Sequence, residues 1–122
     1  MQNIADRTYQ RVAINKGLSY NGLDADLNVI ERYMGVALNI SQNGIQIETD
    51  RMIYTDYILL MFFDYQSNYI ATQGKVVYSN RDQSGKFKSG IHLQGTPEEN
   101  LQFVKKLLKT YHYQKRVPIF VS

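Results

Sequence analysis

From Met34 to Leu93 the chain runs in short stretches of alternating apolar and polar residues, broken by Ser41–Gly44, Gln66–Asn68 and Asp82–Gly85. That rhythm admits few folds, because a period of two turns one face of each stretch toward a core and the other toward water. Val36, Leu38 and Ile40 alternate with Ala37 and Asn39, and Ile45 and Ile47 with Gln46 and Glu48. Between them Asn43-Gly44 offers the positive φ that a tight hairpin uses. Further strands follow at Tyr57–Tyr65, at Ile70–Asn80 with Val76 and Tyr78 on one face, and at Phe87–Leu93. An earlier strand falls between Leu18 and Glu31, and Gly17, Asn21, Gly22, Asp24 and Asp26 over Lys16–Asp26 make any strand there short or bent. Strands at this spacing with short turns imply an antiparallel barrel or sandwich.

The period then changes. Thr96-Pro97-Glu98-Glu99 combines an N-cap threonine, proline at the first helical position and a capping-box glutamate. Leu101, Val104, Leu107, Leu108 and Tyr111 form an apolar stripe at helical spacing, so a helix is expected over 96–113, ending before Pro118. The first eleven residues are polar and show no period, which predicts a mobile leader. With no repeat, low-complexity tract or linker, residues 1–122 read as a single domain.

Composition removes several function classes. The chain has no cysteine, which excludes disulfides, thiol catalysis and cysteine-ligated metals and fits a cytoplasmic setting. The apolar run Tyr57–Phe63 is far shorter than the roughly 20 residues of a membrane span. His92 and His112 are the only histidines, on different elements, and no catalytic or phosphate-loop motif is present, so an enzyme is not expected. Asp24 and Asp26 lack the remaining ligands of a calcium loop and read as solvated turn, and no metal is expected. A net charge of +3 favours anionic partners only mildly.

Two features remain. Arg7-Thr8-Tyr9-Gln10-Arg11 sets two guanidiniums four residues apart in the leader. Asn39-Ile40-Ser41-Gln42-Asn43-Gly44 sets a carboxamide, a hydroxyl and a glycine where a strand enters its turn, with Asn39 and Ser41 on one face opposite Leu38 and Ile40. Arginine forks match phosphate oxygens and the O6/N7 edge of guanine, and they stack on flat rings. Asn39 can donate and accept, Ser41 can reach a base or phosphate, and Gly44 allows close approach of a ligand to the backbone. A compact dianion carrying two guanines suits both features together.

These residues resemble the PilZ domain family, which pairs an RxxxR motif with a [D/N]xSxxG motif on a following strand. Arg7 and Arg11 match the first motif, and Asn39, Ser41 and Gly44 the second. The likeness continues through Gly74-Lys75-Val76-Val77 and Gly90-Ile91-His92-Leu93 to the terminal helix. The resemblance implies a mainly β fold, a six-stranded antiparallel β-barrel with a C-terminal α-helix. It also implies binding of the bacterial second messenger cyclic di-GMP, with no other cofactor. Arg7 and Arg11 would clamp the ligand, while Asn39, Ser41 and Gly44 would form the platform. Asn39 stands where aspartate is commoner. Asp6 stands where many members have a further arginine, which implies one ligand per domain.

On this reading ligand orders the leader over the barrel, and an unidentified downstream protein partner reads the new surface. Two rival readings carry different partners. One is a PilZ-fold protein-interaction module that does not bind nucleotide. The other is a small single-stranded nucleic-acid-binding barrel, prompted by ten tyrosines and a basic pI, but no basic run with interleaved aromatics supports it. The apolar tail Val117–Val121 is expected to pack on the barrel or to meet a partner.

Overall fold

The computed structural model describes residues 11–116. Within them lie β1 (Val12–Leu23), β2 (Val29–Ile40), β3 (Gly44–Thr49), β4 (Tyr57–Phe63), β5 (Tyr69–Arg81), β6 (Phe87–Leu93) and α1 (Pro97–Arg116). The strands close into an antiparallel barrel in the order β1-β2-β3-β6-β5-β4. Of the two architectures the alternation allows, the barrel is the one formed. The first ten residues of the leader expected to be mobile, Arg7 among them, and the Val117–Val121 tail fall outside the described residues.

The single bent strand expected between Leu18 and Glu31 is in fact two long strands meeting at a turn over Asp24–Asn28. Glycines there serve the barrel interior. A Cβ on Gly22 would come within 3.1 Å of the Glu31 and Thr55 side chains, and one on Gly35 within 3.1 Å of Thr49. Between these small positions the fully buried Tyr20 fills the space, with its ring 5.9 Å from that of Tyr33. Small and large residues thus alternate to fit a narrow lumen.

Three hairpins share one turn. In each, an aspartate (Asp24, Asp64 or Asp82) bonds through its backbone N–H to the carbonyl four residues on, and its own carbonyl accepts from the residue three on. Its Oδ1 accepts the amides two and four residues on at 2.8–3.1 Å. The amide of Asn28 first, with that of Asp26, holds Asp24 below the usual carboxylate range. Bonds from Ser84 do the same for Asp82. At Asp64 burial works upward, and the amides of Asn68 and Gln66 outweigh it. The fourth residue of each turn is left-handed: Leu27 at φ 65°, Ser67 at 66° and Gly85 at 89°. This turn also ends β4 at Phe63 rather than Tyr65, because Asp64 is already committed to it.

The core joins Leu18, Tyr20, Ile40, Ile45, Ile47, Ile58, Leu60, Ile91 and Leu93 of the barrel to Phe103, Val104 and Leu107 of α1. Phe62 meets Phe103 edge-on at 5.5 Å, where the helix packs on the barrel. The capping box forms, with the Glu99 amide donating to Thr96 Oγ1 at 3.2 Å and the Thr96 amide to Glu99 Oε1 at 2.8 Å. The buried face of α1 is displaced from the expected stripe: Asn100, Phe103, Val104, Leu107 and Thr110 are buried, and Leu101 only half-buried. The helix runs to Arg116 rather than Tyr113, its last turns held by Tyr113 against Tyr65 at 4.9 Å and by Lys109 over the same ring. Among the described residues no helix is long and apolar enough to cross a membrane.

Candidate functional site

The strand pairing slips at four places among the described residues, and two of these slips build the site. A bulge between Ala37 and Asn39 gives Leu38 no partner on β3, and another between Val76 and Tyr78 does the same for Val77 on β5. One extra residue reverses the facing of everything beyond it. The inward face of β2 is therefore Gly35, Ala37 and then Ile40, and Val36 and Leu38 are only half-buried, contrary to the expected face of Val36, Leu38 and Ile40. Likewise Tyr78 does not share a face with the partly buried Val76. It points outward, while Ser79 beyond it turns in to meet Ser89, Oγ to Oγ at 2.8 Å.

The two bulges bring Asn39 and Tyr78 onto one outer row. Asn39 pairs with Gln46, Gln46 with Gly90, and Gly90 with Tyr78, across β2, β3, β6 and β5. β1 starts opposite the end of β2, with Val12 beside Ile40, so Arg11 arrives at the same end of the barrel. Side chains link along the row. Arg11 Nη1 donates to Asn39 Oδ1 at 2.6 Å, Asn39 Nδ2 to Gln46 Oε1 at 2.8 Å, and Gln46 Nε2 to the Tyr78 hydroxyl at 2.9 Å. The first bond joins the second arginine of one motif to the asparagine of the other, 28 residues apart.

The turn beside this row holds the remaining motif residues. Ser41 is buried, its amide donating to the Gly44 carbonyl at 2.8 Å and its hydroxyl reaching the same oxygen at 3.4 Å. Gly44 does not have the positive φ that its place after Asn43 led us to expect. Its lack of a side chain matters for space: a Cβ there would point among Ile91 O, Ser41 Oγ and Arg11 Nη2, at 3.4, 3.5 and 3.7 Å. The helix braces this turn. Asn100 Nδ2 donates to Asn43 Oδ1 at 3.4 Å, and the Asn43 carbonyl accepts from Leu93 N at 2.8 Å.

An open cleft of about 380 Å³ results, lined by Arg11, Ser41, Asn43, Gly44, Val77, Tyr78, Gly90, Ile91 and His92. A second outer row, Gly44–His92–Lys75, borders it, with His92 and Lys75 exposed. The cleft thus combines a guanidinium, a hydroxyl, an aromatic ring and bare glycine backbone, a set suited to an anionic ligand with planar groups. A larger cleft of about 590 Å³ between β5 and α1, lined by Thr72, Gln73, Gln102, Phe103 and Lys106 among others, includes none of the motif residues.

The structure brings together Arg11, Asn39, Ser41 and Gly44, while Arg7 lies outside the described residues. Gln46 and Tyr78 were not singled out from sequence, since only the register places them in the row. Gly90 carried a usable signal, because a glycine inside a strand marks a close approach. Among the described residues no cluster of three or more histidine or acidic side chains could hold a metal. Asp24, the first half of the Asp-x-Asp pair, is a turn carboxylate engaged with backbone amides.

Comparison with known proteins bears on this cleft. The family model described as PilZ domain matches residues 5–113. No curated protein matches the chain. Among solved structures, the inhibitor of motility MotI/DgrA of Bacillus subtilis is similar over 95% of this chain and 53% of its own, at 17% identity and a TM-score of 0.60. K. pneumonia MrkH in its apo state is similar over 88% of this chain and 51% of its own, at 13% identity and a TM-score of 0.55. Borreliella burgdorferi PlzA, solved in complex with c-di-GMP, is similar over 95% of this chain and 57% of its own, at 12% identity and a TM-score of 0.50. The chain spans about half the length of each. At these identities the likeness establishes a shared fold.

Proposed function

The chain belongs to the PilZ domain family, and we propose that it is a receptor for cyclic di-GMP that signals by closing its arginine leader over the barrel. The observation that carries this reading is the 2.6 Å bond between Arg11 of the first motif and Asn39 of the second, beside Ser41 and Gly44. A PilZ-fold neighbour captured with the same nucleotide supports the choice of ligand.

In this mechanism Arg7 and Arg11 grip a guanine and the phosphates through charge-assisted bonds. Asn39 and Ser41 meet the other guanine end, and the Gly44 backbone lies against the ligand. The Arg11–Asn39 bond keeps one guanidinium at the cleft before ligand arrives, so part of the ordering cost, about 1–2 kcal/mol per fixed residue, is already met. Closure of residues 1–11 then makes a composite surface of leader, ligand and barrel for a protein partner. No chemical step on the ligand is required, so the role is that of a binding protein working in the cytoplasm.

Isothermal titration with cyclic di-GMP, with GTP and an oligonucleotide as controls, tests the proposal. Saturable binding selective for cyclic di-GMP, weakened at least tenfold by Arg7→Ala or Arg11→Ala, is expected. Unchanged affinity in both variants would remove the clamp. Binding of the oligonucleotide alone, or of nothing, would overturn the receptor reading.

A further inference from the structure

We propose that Tyr78 is a base-stacking platform in this cleft, a ligand-binding residue outside both motifs, and that Gly90 and Gln46 position its ring. The inference rests on the receptor reading above and adds a specificity element to the same site.

Three observations converge on the ring. It lies against the outer face of β6 directly over Gly90: a Cβ at position 90 would overlap it, standing 2.7 Å from both Cδ2 and Cζ. Gly90 is therefore the seat of the ring, and any larger residue would lift it off the sheet. The hydroxyl is tied at 2.9 Å to Gln46 Nε2, so the ring is held at its far end too. Yet Tyr78 remains 40% exposed and lines the cleft together with Arg11 and Gly44.

A tyrosine buried for packing would not be left this open. A ring laid over a strand glycine shields that backbone, but here Gln46 also holds its tip and the ring still lines the cleft. Fixed at both ends, the ring offers one free π-face at little cost in side-chain entropy. Planar bases stack on such a face, and the contribution is large when the ring is already in place. Of the groups on cyclic di-GMP, only the guanines are flat, so a guanine is the moiety Tyr78 receives. Arg11, on the same cleft, supplies the cationic group that can bracket that base or its phosphate.

The test compares Tyr78→Phe, which keeps the ring, with Tyr78→Leu, which keeps bulk but has no π-face. Cyclic di-GMP affinity is measured by calorimetry, and folding is checked by thermal melts. Tyr78→Leu should lose roughly tenfold or more in affinity, and Tyr78→Phe less than about threefold. In proton spectra of the wild-type complex a guanine H8 should move upfield, as expected over an aromatic face. That shift should persist in the Phe variant and vanish in the Leu variant.

Equal affinities for Leu and Phe variants, or no upfield H8 shift in the wild-type complex, would overturn the proposal. The wild-type H8 shift decides the matter even if the Leu variant folds poorly. If the wild-type protein does not bind the nucleotide at all, the receptor reading itself fails, an outcome distinct from binding that ignores Tyr78.

Discussion

At the scale of single residues, space and solvation are separable. The hypothetical Cβ of Gly44 meets its neighbours at ordinary contact distances and the backbone there has no positive φ, so Gly44→Ala should change stability by less than about 0.5 kcal/mol. Its methyl would nonetheless enter the cleft between Arg11 and Ser41, and cyclic di-GMP affinity should fall at least tenfold. Melting curves and titrations on the same sample separate the two effects. Tyr20 poses the opposite case. It is fully buried, and its hydroxyl finds no hydrogen-bond partner among the described residues. Burial first, then Glu31 and Tyr33, pushes its pKa up to about 12 from 10.0. A raised folded-state pKa means the unfolded chain ionises first, so this linkage costs the fold nothing below pH 10 and lowers its stability as pH rises from 10 toward 12. Tyr20→Phe should therefore raise stability by about 1 kcal/mol at neutral pH and flatten the alkaline decline, as read from denaturant melts across that window.

At the scale of elements, three hairpins with one turn design differ at the left-handed position, where only one uses glycine. Leu27 holds φ 65° where an L-residue is disfavoured by about 1–2 kcal/mol, partly offset by the greater chain entropy that glycine would lose. Leu27→Gly should stabilise the barrel by about 0.5 kcal/mol, and Gly85→Ala should destabilise it by about 1 kcal/mol. Urea midpoints of the two variants, moving in opposite directions, would check this. The bulges matter differently, because they redirect side chains. Without the one at Val77, Tyr78 would face the core, and without the one at Leu38, so would Asn39.

At the scale of the molecule, closure of the barrel leaves each strand paired on both sides, and α1 supplies the packing that the barrel wall does not. Leu107 is wholly buried where the two meet. Leu107→Ala should cost about 2–5 kcal/mol in chemical denaturation. The same helix braces Asn43, through Asn100, beneath the cleft. Under conditions where the Leu107 variant remains folded, its affinity for cyclic di-GMP should stay within about threefold of wild type, because neither residue of that brace is altered.

The antiparallel β class, the hairpin around Asn43-Gly44, the capped helix from Thr96 and the two motifs could all be read from the amino-acid order. Each of these is written in local periods, turn chemistry or short spacings, which depend on neighbours in the chain. That order did not determine that Gly22 and Gly35 flank a buried tyrosine inside two long strands, nor where α1 buries its face. Those follow from the width of a lumen that exists only once the strands close. The site divides the same way. Arg11, Asn39, Ser41 and Gly44 were legible as residue types, but the row from Asn39 through Gln46 and Gly90 to Tyr78 was not. Register joins strands that are distant in sequence, and a bulge reverses facing without any local mark that alternation can detect. The tertiary structure decided which side chains share the cleft, because only cross-strand pairing sets which outward residues stand side by side.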